Sequence, residues 1–128
     1  MNIEKLDRAE CYVFLRGRTL GRVAVSLAGD LVILPVYYAV MDDDIVFRTA
    51  PGTKLDAAVL KTKLAFEVDG AMPGWSVLVR GHAEEIRDAA RQQYARQLLG
   101  DDWPAGERDH LVRIRAEHVS GRRLPPAS

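Results

Sequence analysis

The sequence contains a single cysteine, Cys11, among its 128 residues. An internal disulfide is therefore impossible, and a reducing cytoplasm is the expected compartment. Basic and acidic side chains balance at 18 each, whereas a general nucleic-acid-binding protein carries a basic excess. The N-terminus lacks the order of a signal peptide, and the longest apolar run, 31–41, is about half the length that crosses a bilayer. We therefore expect neither nucleic acid nor membrane as a partner.

The familiar catalytic motifs are also missing. No Gly-x-Ser-x-Gly, Walker-type or Cys-x-x-Cys pattern occurs, so hydrolase, nucleotidase and dithiol chemistry have no support. The histidines His82, His110 and His118 each lie in an alternating segment, without a second ligand at metal-binding spacing. Any chemistry is therefore expected to belong to a bound cofactor.

The pattern of apolar residues predicts one mainly β domain with inserted helices, over residues 1–123, and a flexible tail at 124–128. Strands are predicted at 21–27, 31–41, 45–48, 64–69, 75–86 and 110–121. Helices are predicted at 7–16, 52–60 and 88–99, the first of them with a capping box at Asp7 and Glu10. A bulge or an unpaired position is expected at Pro35. Many antiparallel strands with short connections favour a barrel-like sheet.

The stretch 47–55 joins the end of a predicted strand to the start of a predicted helix through a Pro-Gly turn. A helix start presents unpaired N–H groups and a partial positive charge. Arg48 and Lys54 flank this start, and Thr49 and Thr53 add hydroxyl donors. Together they predict a site for a phosphate dianion. The alternative is that both cations are solvated surface charges.

An ordered set of short segments resembles a known family. The segments are GRVA at 21–24, LPVYY at 34–38, FRT at 47–49, GTKL at 52–55, FEVD at 66–69, GWSVLVRG at 74–81 and VSGRR at 119–123. With them the chain resembles the pyridoxamine 5'-phosphate oxidase-like flavoproteins, and within these the small branch that includes nitroimidazole-resistance proteins. The resemblance covers nearly the whole chain and implies a six-stranded antiparallel split β-barrel.

The same resemblance implies a homodimer with FMN at the subunit interface, acting as an FMN-dependent oxidoreductase on a small-molecule substrate. Three alternatives stay open. The cofactor could be a deazaflavin, the protein could be a flavin carrier without turnover, or the dimer could be structural with a vestigial site.

The resemblance also implies three groups of cofactor contacts. Three residues around the predicted helix start would hold the phosphate: Arg48, Thr49 and Lys54. The neighbouring Leu55 is counted as a further cofactor contact. Four residues of the strand that holds the proline would line the isoalloxazine ring: Pro35, Val36, Tyr37 and Tyr38. Two residues would approach the ring from the partner subunit: Trp75 and Ser76.

Each of these groups has a plainer interpretation. The segment 35–38 reads equally well as an ordinary central strand. Because neighbouring side chains of a strand point to opposite faces, at most one of Tyr37 and Tyr38 should face a ring. Trp75 suits a core or a dimer interface at least as well as a flavin contact.

Overall fold

The structure, a computed structural model, describes residues 3–60, 63–101, 103–104 and 106–125. Seven strands and three helices follow one another within this part of the chain. They are β1 Glu4–Leu6, α1 Arg8–Arg16, β2 Leu20–Leu27, β3 Asp30–Met41, β4 Asp44–Thr49, α2 Lys54–Val59, β5 Lys63–Ala71, β6 Gly74–Glu85, α3 Ala89–Leu99 and β7 His110–Arg123. The six predicted strands and three predicted helices are confirmed to within a few residues. Only β1 was missed, because three residues are too few to show an alternating pattern.

Six strands close into an antiparallel barrel in the order β7, β4, β3, β2, β5 and β6, with β6 pairing back to β7. The predicted six-stranded barrel is therefore confirmed. Tight turns with positive φ connect β2 to β3, at Ala28 and Gly29, and β3 to β4, at Asp42 and Asp43. Such turns match the right-handed twist of paired strands. β1 lies outside the barrel and pairs with the C-terminal end of β7.

Inward-facing side chains fill the barrel, with Phe47 and Phe66 the largest that are fully buried. Helix α1 packs against one end and buries Cys11, Tyr12 and Leu15 in the same cluster. Its N-terminus carries the predicted capping box. Helix α3 covers a second, smaller apolar cluster. Of the helices in the described ranges, none combines the length and apolar character that a membrane-spanning helix needs.

Of the two alternatives expected at Pro35, a bulge and an unpaired position, the structure shows the second, on the side of β3 that faces β4. β3 runs unbroken past this residue, which lies opposite Arg22 of β2. Pairing between β3 and β4 begins only at Tyr38, so Pro35 lies where β3 is paired on one side and the missing N–H breaks no regular ladder. The irregularity in register lies in β6 instead, at Gly81, where a Cβ atom would collide with the carbonyl oxygen of Arg115.

The C-terminal segment keeps contact with the barrel beyond the predicted domain end at residue 123. The N–H of Leu124 donates a hydrogen bond to the carbonyl oxygen of Gly74 at 2.9 Å. Residues 126–128 of the predicted tail lie outside the described residues.

Candidate functional site

A cleft of about 430 Å³ opens where β3 is paired on one side only. It lies between β3, the end of β4, the start of α2 and the segment that follows α3. Six of the ten predicted cofactor contacts line it: Pro35, Val36, Tyr37, Arg48, Thr49 and Leu55. This volume is typical of a small-molecule site. The fold therefore brings the predicted ring group and the predicted phosphate group into one concave site.

The two neighbouring tyrosines point to opposite sides of β3. Tyr37 is exposed and lines the cleft. Tyr38 is buried in the barrel, where its hydroxyl donates to the carbonyl oxygen of Leu15 at 2.5 Å. Burial raises the pKa of the Tyr38 hydroxyl well above its usual value. Tyr38 is therefore a core residue rather than a ring contact.

Trp75 and Ser76 lie on β6, away from the cleft. The Trp75 side chain is 2% exposed and stacks on Phe14, with 4.3 Å between the ring centroids. It is a core aromatic, the plainer of the two interpretations, and has almost no surface to offer a second subunit. Ser76 lines a groove on the outside of the barrel, and its contact with a partner's cofactor stays a prediction.

Arg48 is held firmly at the edge of the cleft. Its Nε atom donates to Asp109 at 3.1 Å, and its Nη2 atom donates to the carbonyl oxygen of Gly100 at 2.8 Å. The side chain is 11% exposed. Arg96 also binds Asp109, at 2.7 Å. Its hydrogen bond is the main reason that the pKa of Asp109 is lowered. Within the described part of the chain, the third guanidinium nitrogen of Arg48, Nη1, has no protein partner, and Arg48 is among the residues that line the cleft.

The turn between β4 and α2 satisfies most of its own donors. The hydroxyl of Thr49 donates to Asp56 at 2.6 Å, and the N–H of Gly52 donates to the other oxygen of that carboxylate at 3.1 Å. The hydroxyl of Thr53 donates to the carbonyl oxygen of Ala50 at 2.8 Å. Both hydroxyls predicted for a phosphate are thus committed inside the turn. Among the predicted phosphate-binding side chains that the structure describes, Arg48 is the one that keeps a donor without a protein partner.

Helix α2 contributes less to this site than the sequence predicted. It spans only Lys54–Val59, fewer than two turns, so few aligned peptide dipoles add up at its start. The side chain of Lys54 lies outside what the structure describes, and its contact with a phosphate stays a prediction.

Thr53, predicted as a hydroxyl donor for the phosphate, also lines the cleft. Four further lining residues were not predicted: Ala50, Leu99, Trp103 and Pro104. Leu99 closes α3, and Trp103 and Pro104 belong to the loop that follows. That loop reads as an ordinary connection, yet a tryptophan in a loop is a recognised sign of a binding segment. This signal could have identified one wall of the cleft.

The outer side of the barrel carries a row of exposed apolar residues along β3, here called the apolar stripe: Leu31, Ile33, Pro35 and Tyr37. Leu31 is 89% exposed and Ile33 67%. Grooves of about 200 to 820 Å³ continue from this side across β2, β5, β6 and β7. They lie along the outer surface of the sheet, and their lining mixes apolar residues with charges.

Glu67 lies in the middle of this outer surface. It contacts Arg22 at 3.1 Å, and Arg22 also pairs with Asp69 two residues further along β5. Burial, followed by the neighbouring carboxyl of Asp69, raises the pKa of Glu67 to about 7. The folded chain therefore holds a proton on Glu67 at pH values where the unfolded chain has lost it.

This difference predicts that Glu67 lowers stability as the pH rises. Between about pH 4.5, the ordinary value for a glutamate, and about pH 7 the folded state binds more protons than the unfolded state, so the free energy of unfolding falls. Glu67→Gln should remove this slope. Because about a third of the side chain is exposed, we expect the variant to gain only about 1 kcal/mol more at pH 8 than at pH 5. Urea unfolding at both pH values measures this, and an equal gain at both would contradict it.

Comparison with known proteins places the chain in a family. Residues 7–123 match the family described as pyridoxamine 5'-phosphate oxidase. Since this is nearly the whole chain, the protein belongs to that family, as the sequence resemblance implied.

Three similar proteins cover nearly all of the chain. The Mycobacterium tuberculosis protein Rv0080 is 34% identical over 132 residues, which is 95% of this chain and 86% of the relative. The FAD binding protein from Mycobacterium smegmatis is 34% identical, with a TM-score of 0.87 over 96% of this chain and 99% of its own. A FAD-binding protein from Mesorhizobium loti is 27% identical, with a TM-score of 0.82 over 98% and 100%.

Proposed function

We propose that this chain binds a flavin nucleotide in the cleft and acts as an oxidoreductase on a small molecule. The observation that carries the proposal is the make-up of the cleft, a guanidinium at one edge and apolar and aromatic side chains along its walls. The two similar structures named for FAD binding support a flavin as the ligand. The family resemblance implied FMN, and the riboflavin phosphate of FMN is also part of FAD, so we propose the same cleft for both.

The residues of the cleft divide the work of binding. Arg48 would bind the phosphate, because a guanidinium fits phosphate oxygens and keeps its charge at any physiological pH. The walls formed by Val36, Leu55 and Leu99 would exclude water from the ring, and Tyr37 offers an aromatic surface beside it. The bound flavin supplies the redox chemistry, while the protein supplies binding, orientation and electrostatics.

We also propose that two copies of the chain pair through the apolar stripe. A contiguous row of large exposed apolar side chains is unusual on a monomer and marks an interaction surface. Two of its members, Pro35 and Tyr37, also line the cleft, so a second copy on the stripe would lie next to a ligand bound there. This supports a homodimer with the flavin at the subunit interface.

The one cysteine, Cys11, is buried and free, which suits the cytoplasm proposed for the dimer.

A titration of the purified protein with FMN, FAD, riboflavin and a deazaflavin tests the ligand. Quenching of the fluorescence of FMN or FAD at low micromolar concentration is the expected result, with riboflavin weaker because it lacks the phosphate. If the deazaflavin bound more tightly than FMN and FAD, the deazaflavin would be the cofactor of this protein. If none of the four ligands bound, the proposal would fall.

Turnover needs a separate measurement. The flavin-loaded protein is expected to oxidise a reduced nicotinamide in the presence of an electron acceptor. Tight flavin binding without turnover on several acceptors would instead establish a carrier.

A further inference from the structure

A hydrogen-bonded network lies behind the turn that forms one edge of the cleft. Its centre is Asp56, which is 7% exposed and is not among the residues that line the cleft. Its carboxylate accepts from the hydroxyl of Thr49 at 2.6 Å, the N–H of Gly52 at 3.1 Å and Nδ1 of His110 at 2.7 Å. One side chain thus ties the end of β4, the turn and the start of β7 together.

His110 connects this centre to a second carboxylate. Its Nε2 atom lies 3.2 Å from Oε1 of Glu85 on β6. An ionised carboxylate only accepts hydrogen bonds, so Nδ1 carries the hydrogen in the contact with Asp56, and the carboxylate of Glu85 lies close to the other edge of the ring. Because Asp56 and Glu85 contact opposite nitrogens of one ring, they cannot share a metal ion with it. The three side chains therefore connect β6, β7 and α2, and they do not form a metal-binding site.

The hydrogen bonds around Asp56 favour the ionised form of its carboxyl group. Burial on its own raises the pKa of this carboxyl, but the hydrogen bonds from Thr49, His110 and Gly52 together outweigh burial, and the pKa is lowered. Ionised Asp56 therefore accepts from all three donors at neutral pH.

We propose that Asp56 is a positioning residue for the phosphate end of the cleft, and that His110 holds it in place. Because Thr49 and Gly52 already donate to Asp56, the turn keeps one shape whether or not a ligand is bound. Thr49 follows Arg48 directly in β4, so the same contacts fix the backbone that carries the guanidinium. A site that is ordered before binding loses less conformational entropy when the ligand arrives. This inference rests on the proposed function.

The test compares FMN with riboflavin, since the two ligands differ only in the phosphate. In Asp56→Asn the amide keeps one acceptor oxygen, replaces the other with a donor and removes the negative charge. Either the N–H of Gly52 then loses its acceptor, or Thr49 and His110 must accept hydrogen bonds that they now donate. We expect the dissociation constant for FMN to rise at least about tenfold, and that for riboflavin to change less than about threefold. A general loss of structure would weaken both ligands equally.

Asp43→Asn is the matched control. It also replaces one aspartate with its amide, but at an exposed ion pair with Arg16 in the turn at the far end of the β3–β4 hairpin. The control should leave both dissociation constants unchanged. His110→Asn, which retains a donor near the position of Nδ1, should bind FMN better than His110→Phe, which retains none. If Asp56→Asn does not fold, the difference in FMN affinity between the two His110 variants tests the positioning role.

The possible results separate this inference from the proposed function. If the wild-type protein bound neither FMN nor FAD, the proposed function would fail and the inference with it. If the wild type preferred FMN to riboflavin and the Asp56 and His110 variants kept that preference in full, the positioning role alone would be overturned.

Discussion

Arg48→Gln is expected to weaken FMN binding by about 10- to 100-fold, which corresponds to the loss of one charged hydrogen bond of about 1.5–3 kcal/mol. Riboflavin binding should change little, because the guanidinium is expected to contact the phosphate alone. Arg48→Lys should recover only part of the affinity, since an ammonium group cannot keep the contacts with Asp109 and Gly100 while it also reaches the ligand. Fluorescence titration with both flavins gives the two dissociation constants.

The control for this prediction is Arg96→Gln. Arg96 shares Asp109 with Arg48 but does not line the cleft. The control variant therefore loses a guanidinium from the same carboxylate without losing the proposed phosphate contact, and it should bind FMN nearly as well as the wild type. Equal losses in the two variants would mean that Arg48 acts only by holding the loop after α3.

Ile33→Asp is expected to separate the dimer and to weaken flavin binding with it. Ile33 lies near the middle of the apolar stripe, and the two-fold symmetry of a dimer would place two new carboxylates in one interface. Burying an unpaired charge costs several kcal/mol, so the dimer dissociation constant should rise by about 1,000-fold or more. Sedimentation velocity at micromolar concentration should show a dimer for the wild type and a monomer for the variant.

Val13→Asp provides the comparison. Val13 is 70% exposed on α1, as open as Ile33 but away from the stripe. It should remain dimeric and should keep its flavin affinity. A wild-type chain that is monomeric and still binds flavin tightly would contradict the proposed interface.

Most of the fold could be predicted from the sequence because its signals are local. The capping box of α1 and the alternation of β2 and β6 each lie within a dozen residues. What the sequence left open or did not show depends on partner strands. Whether Pro35 forms a bulge depends on where pairing with β4 begins, and the need for Gly81 depends on the backbone of Arg115 in β7. Neither fact is visible in the strand that carries the residue.

The candidate site also has parts that the sequence predicted and parts that depend on contacts between distant segments. The strand segment 35–38 was identified through the family resemblance, and the turn after β4 through its local pattern of a strand end, a Pro-Gly turn and basic residues. The commitment of Thr49 to Asp56 depends partly on His110, which is 54 residues further along the chain. The wall that contains Trp103 depends on how the loop after α3 returns to the barrel. Tyr38 and Trp75 were predicted as cofactor contacts. The sequence alone does not distinguish a buried aromatic side chain of the core from one that lines a binding site.

The location of the phosphate in a crystal structure of the flavin-loaded protein tests the central claim most directly. The account predicts a phosphate oxygen within hydrogen-bond distance of Nη1 of Arg48, with the ring between Val36, Tyr37 and Leu55. A flavin bound in the grooves across the outer strands, with Arg48 still turned only toward Asp109 and Gly100, would contradict it.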